Sequence, residues 1–325
     1  MTLSQPAHVF LEVHMECNLR CVQCDIYALR NPVDELSEAE RRGVIRQVAD
    51  WHNEIRVVIG GGEAFARKSM LYAVGEEART LGVYMTVSTN GTLLRDQDFE
   101  RLPGSGIRCV VVSIDSDEPD VHDRIRGVPG TFERATRTIR ALVAARDRAR
   151  EDFTVLTSSI LGSHNLHRVE SLVTFLEELG VDTTLYQPIQ PAFARTVATE
   201  WWKVDALFPR DASEVKSGIA ALMRLRATGH RIFQTLEQLD DARRYLMDPS
   251  HSVPGQCASM DKHLMVDMRG DVRLCFNMER IGLHPVGNVR ENALRDIWHD
   301  TTVERVRQRM RGCSESCGSM LCHAR

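Results

Sequence analysis

Short apolar runs alternate along the first two-thirds of the chain with longer segments whose hydrophobic positions recur at helical spacing. The runs are His8–Val13, Arg56–Ile59, Tyr84–Ser88, Cys109–Ile114, Thr154–Ser158 and Thr183–Tyr186, most of them rich in the β-branched residues that suit a pleated surface. Between them, Ser37–Trp51, Ser69–Leu81, Thr131–Ala149 and Leu166–Leu179 carry the apolar stripe of a helix buried on one face. Gly82 and Gly180 follow two of these segments, where a left-handed helix cap is expected. Six strand–helix units in series predict a parallel sheet with right-handed crossovers. Six falls short of the eight that close a full barrel. The fold class is therefore α/β, an open, partial (β/α)6 TIM-type barrel, with a small C-terminal α+β domain.

From Trp201 to Pro249 the pattern turns helical, clearest over Ala212–Arg226 and Leu236–Leu246. After the turn-prone stretch DPSHSVPG comes a third region, Gln256–Arg325. In it, HLMVDMRGDVRLCF reads as two alternating strands turning at Arg-Gly-Asp, followed by one amphipathic helix over Ala293–Met310. The expected units are a barrel over 1–200, a helical connection over 201–250 and a small domain over 251–325.

Composition narrows the class. Hydrophobic residues make up 43% and charged residues 26% of 325 positions, enough apolar material for a sizeable core. A net charge of −4 argues against a partner such as nucleic acid or an anionic membrane. No apolar run approaches the roughly 20 residues that span a bilayer. The N-terminus has neither the basic start nor the small-residue cleavage site of a signal peptide. A cytoplasmic chain without nucleic-acid or membrane partners is expected.

There are nine cysteines, an odd number that fits metal or redox chemistry better than a disulfide framework. Eight cluster near the two ends, leaving only Cys109 between them, at the start of a buried strand where packing is its expected use. Cys17, Cys21 and Cys24 form a CxxxCxxC loop directly after the first strand. Three thiolates on one loop can wrap an iron–sulfur cluster and leave one iron open to another ligand; by spacing alone, structural zinc stays open as the alternative. In strand–helix barrels chemistry gathers on the loops after the strands. Here those loops carry GGGE, STNG, SID, Ser158-Ser159 and Gln187-Pro188.

Together CNLRCVQC, GGGEAF, STNGTLL, VVVSIDS and HDRIRGVPGTF resemble, in order, the motifs of radical S-adenosylmethionine (SAM) enzymes. Two positions depart from the usual pattern: Gln23 stands where an aromatic residue is common, and Ala64 where a proline is usual. The resemblance implies that Cys17, Cys21 and Cys24 hold a [4Fe–4S] cluster whose open iron chelates SAM. Reductive cleavage then yields a 5′-deoxyadenosyl radical that takes a hydrogen from substrate, with electrons from an external donor such as flavodoxin or ferredoxin. It places Gly61, Gly62 and Glu63 near the methionyl group and makes Ser88, Asn90, Ser113 and Asp115 candidates for ribose or carboxylate contacts. Ser158 and Gln187 are weaker candidates, and Arg126 is a further one for the SAM carboxylate.

GQC, VDMRGDVRLCFN, GNVRENALRDIWHD and GCSESCGSMLC resemble the shorter, twitch form of the SPASM auxiliary domain. One auxiliary [4Fe–4S] cluster is implied, held by Cys257, Cys275 and Cys317 with either Cys313 or Cys322 as fourth ligand; zinc is the alternative. A metal centre suits this short region, whose core is thin. The chemistry could be a net oxidation or a redox-neutral change such as epimerisation, elimination or decarboxylation, in an oxidoreductase, epimerase or lyase. Peptide-modifying relatives commonly carry a leader-binding segment ahead of the barrel. With the cluster motif beginning at Cys17, none is expected, and the substrate is read as a small polar metabolite of sugar, aminocyclitol or nucleoside type in specialised biosynthesis. The alternatives are a peptide maturase with a separate leader-binding partner and, remotely, a zinc-stabilised scaffold. Tyr27, Arg30, His164, Asn165, Tyr186, Gln187 and Gln190 are the residues from which a substrate pocket could be drawn, with Arg195, Trp201 and Trp202 where a cap could begin. No catalytic dyad or triad is visible, so no catalytic residue is assigned.

Overall fold

The structure is a computed structural model that describes residues 5–29, 34–52, 54–149, 152–191, 200–250, 257–313, 315, 317–319 and 322. Six parallel strands are laid down in chain order: β1 (His8–Glu12), β2 (Arg56–Gly60), β3 (Met85–Thr89), β4 (Ile107–Ser113), β5 (Thr154–Leu161) and β6 (Thr183–Pro188). The crossovers are α1 (Glu38–Trp51), α2 (Lys68–Leu81), α3 (Asp96–Arg101), α4 (Pro119–Arg126), α5 (Thr131–Arg148) and α6 (Val169–Glu178). Strand faces alternate with a period of two. Val9, Leu11 and Val13 are fully buried among the helices, whereas His8, Phe10 and Glu12 look from the other, open face. The parallel sheet stays open at β6, as a partial barrel. Helix starts follow their capping residues: Ser37 and Glu40 close a capping box at α1, satisfying amides that would otherwise face water or remain unbonded.

Helices α7 (Ala212–Ala227) and α8 (Leu236–Met247) pack together beyond β6. The short α9 (Ser259–Lys262) then leads into β7 (His263–Val266), β8 (Asp271–Arg273) and β9 (Gly287–Asn288). These strands do not form a sheet of their own. β7 lies parallel to β1, pairing His8 with His263 and Phe10 with Met265, so the sheet order is β6-β5-β4-β3-β2-β1-β7-β8-β9. The hairpin turns one residue earlier than Arg-Gly-Asp suggested. Gly270 takes the left-handed position at φ 86, and Asp271 already pairs with Asn288.

The single helix expected over Ala293–Met310 is two, α10 (Leu294–His299) and α11 (Thr301–Arg311). Asp300 breaks it: its carboxylate accepts the Thr302 amide at 2.6 Å and restarts the helix as an N-cap. Trp201 is buried edge-on against Phe208, as core packing. Cys109 is buried on β4, in register with Thr86 and Thr154. Among the described residues no helix is long and apolar enough to cross a membrane.

Candidate functional site

The loop after β1 is strapped into place by backbone. Arg20 and Val22 donate their amides to the carbonyls of Arg126 and Ile125 at the end of α4, at 3.2 and 2.8 Å. Gly127 makes that contact possible: a Cβ there would lie 2.1 Å from the Arg20 carbonyl oxygen. The glycine-rich turn after β2 is fitted to the same loop from the other side. Gly62 donates to the His14 carbonyl at 2.6 Å and Glu63 to the Glu16 carbonyl at 2.7 Å. A Cβ on Gly62 would sit 2.2 Å from the Glu16 oxygen, and Gly61 adopts φ +112 against His14. Both glycines are therefore fixed by close backbone approach.

Glu63 is buried, and its carboxylate accepts from the Thr89 hydroxyl (2.6 Å) and from the amides of Asn90 (2.7 Å) and Phe65 (3.1 Å). Burial nonetheless pushes its carboxyl above the usual range. These bonds aim Asn90, whose side-chain amide donates to Asn18 Oδ1 at 3.0 Å and points at Cys17 Sγ, 4.0 Å away. Asn18 in turn donates to Thr92 Oγ1 at 2.8 Å. Asn18 and Thr92 were not singled out from sequence; their only signal was polarity inside the motifs.

On the other flank Asp115 is fully buried and paired with Arg126 at 2.8 Å. It also accepts from Gln23 Nε2 (3.3 Å) and the Ile160 amide (3.0 Å). Burial pulls its carboxyl up, but the charges of Arg126, His164 and His122 outweigh that and hold it below the usual carboxylate range. Arg126 also bonds Cys21. Its Nε, like Gln23 Oε1, is buried without a partner among the described residues.

Cys17, Cys21 and Cys24 are half-buried, and their thiols are close enough to raise one another's pKa. Burial is the larger effect and takes Cys21 up to about 11. Ser88 is exposed on the open face of β3. Ser113 and Ser158 are half-buried and in register on β4 and β5, and Gln187 pairs with Ile160 on the outermost β6. The structure thus gathers Gly61, Gly62, Glu63, Asn90 and Asp115 around the cysteine loop and spreads Ser88, Ser113, Ser158 and Gln187 along strand ends.

Of the residues named for a substrate pocket, three have structural partners or are packed away. Asn165 braces the Asp115 and Ile160 carbonyls, Tyr186 is buried between β6 and its helices, and Gln190 accepts from Ser319. Arg30 and Arg195 lie outside the described residues.

The second cysteine group converges from segments far apart in sequence. Cys275 interacts with Cys317, Cys257 and Cys313, and Cys322 with Cys257, Cys317 and Cys275. Cys257, Cys275 and Cys313 each accept the amide two residues on, from Ser259, Asn277 and Glu315 at 3.3 to 3.4 Å. Cys17 and Cys24 do the same with Leu19 and Ile26. Amide bonds of this kind stabilise cluster-bound thiolates. Cys322 is instead buried beside His263 Nδ1, at 3.8 Å. Among the described residues no three side chains close on a single metal-ion position.

A half-barrel with a thiolate loop after its first strand, and further thiols beside the sheet, defines a cluster-dependent enzyme. The chain belongs to the radical SAM superfamily, whose family model matches residues 11–176. A SPASM iron–sulfur cluster-binding domain matches 257–322. Its cofactors are SAM, the [4Fe–4S] cluster that binds it and an auxiliary iron–sulfur cluster. The chain is 27% identical over 314 residues to an AdoMet-dependent heme synthase of Methanosarcina barkeri, covering 92% of this chain and 84% of that one. It is 26% identical over 315 residues to a PqqA peptide cyclase of Xanthomonas oryzae, covering 92% and 76%. Its fold matches SuiB of Streptococcus suis, solved with S-adenosylmethionine (TM-score 0.70, 15% identity, 92% of this chain and 67% of that one). With precursor peptide SuiA bound, SuiB gives a TM-score of 0.69 at 16% identity over 92% and 66%.

These relatives correct the expectation of a sugar, aminocyclitol or nucleoside substrate. That reading rested on the short stretch before Cys17, which does not separate the classes: a peptide cyclase aligns with nearly the whole chain.

Proposed function

We propose that the protein is a radical SAM peptide maturase that works with a separate leader-binding partner. The observation that carries this reading is the alignment with a PqqA peptide cyclase over 92% of the chain. The residues fit the cofactors. Three thiols on a loop strapped by Gly127 suit the first cluster, and the unpartnered Arg126 Nε and Gln23 Oε1 suit the carboxylate and amine of SAM. Once bound, the cluster and SAM supply the 5′-deoxyadenosyl radical. The chain's part is to hold them still. Glu63 orients Asn90 beside Cys17, Asp115 fixes Arg126 beside Cys21, and the glycines keep the second turn against the loop. Ser88, Ser113, Ser158 and Gln187 serve the ribose and substrate side of the open face. The working units are 1–200, 201–250 and 251–325, the last contributing Cys257, Cys275, Cys317 and Cys313 as cluster ligands. Cys313 is favoured over Cys322 by its amide bond from Glu315.

Anaerobic reconstitution is expected to load about eight irons per chain, two cubane clusters' worth. With Cys17, Cys21 and Cys24 all changed to alanine, about half the iron remains and dithionite-dependent formation of 5′-deoxyadenosine ceases. Cys313→Ala loses the other half, and Cys322→Ala keeps both. The substrate class is tested by adding candidate precursor peptides with a leader-binding adaptor. Peptide-dependent stimulation of SAM cleavage, with deuterium passing from peptide into 5′-deoxyadenosine, supports the proposal. Turnover of a haem precursor with no response to peptide sinks it.

A further inference from the structure

Three carboxylates stand at the strand ends nearest the first cysteine loop, and two have their partners. Glu63 is saturated by three donors and Asp115 is paired with Arg126. The third, Glu12, ends β1 on the open face, in line with His8 and Phe10. No group among the described residues donates a hydrogen bond to its carboxylate. The charged groups that face it are Asp267, at the end of the neighbouring β7, and Arg273 of β8. Arg273 is engaged elsewhere, bonding Asp267 at 2.7 Å and Glu279 at 2.9 Å. On the β2 side Glu12 pairs with Gly60, where a Cβ would meet nothing within 4 Å. Glu12 itself is half-buried, with open space beside it above Gly60.

Its position is between the two cysteine groups. Toward the C-terminal end of β1 the chain runs from Glu12 into the loop of Cys17. Toward the other end, on the same face, Phe10 packs edge-on against Phe276, next to Cys275, at 5.0 Å. His8 is in register with His263, which borders Cys322. Four residue-to-residue steps along the strand lead from His8 to Glu12, about 13 Å.

We propose that Glu12 is the acid–base group of the substrate site, receiving the proton released when a bound peptide is oxidised. The inference rests on the peptide-maturase reading. In the step concerned, a substrate C–H bond breaks and its hydrogen atom goes to the 5′-deoxyadenosyl radical, forming a C–H bond in 5′-deoxyadenosine. The resulting carbon radical then loses a proton from the adjoining group, forming an O–H bond on Glu12. One electron leaves for the oxidised auxiliary cluster. The peptide has lost two electrons and two protons in all, and a double bond or a new ring bond is the product. Glu12 suits the proton-accepting role because burial, reinforced by Asp267, lifts its carboxyl to about 7, where a group both takes and returns protons near neutral pH.

The test uses the full chain with both clusters loaded and compares Glu12→Gln and Glu12→Asp with wild type. Infrared difference spectra read the carboxyl directly: a protonated-carboxyl band that titrates near pH 7 is expected in wild type and absent in Glu12→Gln. With the peptide that stimulates SAM cleavage in the assay above, Glu12→Gln keeps its iron and still moves deuterium into 5′-deoxyadenosine. Its modified peptide per 5′-deoxyadenosine falls at least tenfold, and Glu12→Asp restores much of it. An unchanged product ratio in Glu12→Gln, or loss of iron and SAM cleavage together, overturns the proposal. If no peptide stimulates cleavage in wild type, the maturase reading has failed. The infrared titration still reports independently whether Glu12 exchanges a proton near neutrality, and a missing band overturns the Glu12 assignment by itself.

Discussion

Changing Gly127 to alanine is expected to abolish iron binding at the first cysteine loop while most of the fold survives. Two costs coincide at this residue. It sits at φ +72, where a Cβ costs about 1–2 kcal/mol. The added carbon would also lie 2.1 Å from the Arg20 carbonyl oxygen and 2.7 Å from its carbon. That neighbour is backbone, so no rotamer change relieves the contact. The loop must lift away, breaking the amide bonds of Arg20 and Val22 to α4 and separating Cys21 from Arg126. Gly82→Ala is the control, because Gly82 has nearly the same φ of 71 but nothing within 4 Å of a Cβ. The expected result is a loss of about 1 kcal/mol with full iron content for Gly82→Ala. For Gly127→Ala it is about 3 kcal/mol or more, half the iron, and 5′-deoxyadenosine formation down by a hundredfold or more (about 3 kcal/mol in barrier). Urea unfolding, iron analysis and product assay decide it. Equal behaviour of the two variants would show that the contact with Arg20 does not hold the loop.

The second large effect is at the buried ion pair. Asp115→Asn keeps an acceptor for the Ile160 amide but leaves the Arg126 guanidinium buried without its counter-charge. Breaking such a pair from one side costs about 3–5 kcal/mol. The double variant Asp115→Asn/Arg126→Met is expected to recover part of this stability while still failing to cleave SAM normally, because Cys21 has lost its guanidinium neighbour. The pH dependence has a definite sign. Asp115 is held below its ordinary value of 3.8 in the folded protein. Its contribution is therefore present in full above the unfolded value and disappears as pH falls through the lower, folded one. Acid unfolding of wild type should steepen below about pH 3.8, and Asp115→Asn should lack that component. A variant as stable as wild type at neutral pH would mean that solvent reaches Arg126 and the pair is not buried in solution.

The strands and most helices could be read from the sequence because their signals are local. Val57, Ile59, Val110 and Val112 alternate with residues of the other face, and α1 announces itself by Ser37 and Glu40. The cysteine groups were also legible, since three thiols in eight residues leave few other readings. What was not legible depends on distant partners. The motif places Glu63 near the methionyl group, but that its oxygens bond Thr89 and Asn90, 26 and 27 residues on, shows only in the fold. Asp115 reads as a candidate for ribose or carboxylate contacts, and only the fold shows Arg126 against it. The break at Asp300 hid inside a continuous amphipathic pattern, because periodicity does not register a cap whose flanking turns keep the same face buried. The substrate class was misjudged for another reason. It rested on the start of the chain, a stretch that does not separate the classes, since a peptide cyclase aligns with nearly the whole chain.

The place of β7 has a consequence for how the chain reaches this structure. The strand that carries the cluster loop has β2 on one side, about 50 residues away in sequence, and on the other a strand about 250 residues downstream. During synthesis the β2 side can pair early, while the other edge of β1 stays bare until residue 266 has emerged. At roughly 5–20 residues per second that interval lasts on the order of ten seconds or more. Phe10 and its unpaired amides are then available to any passing strand, the hazard that native sheets normally cover. A barrel cut before residue 257 would keep that edge for life and should aggregate, so the auxiliary region is also the last stave of the sheet. Its thiols arrive with it, and the order in which the two clusters can be filled is written into the topology: the first loop is complete long before the second set of ligands exists.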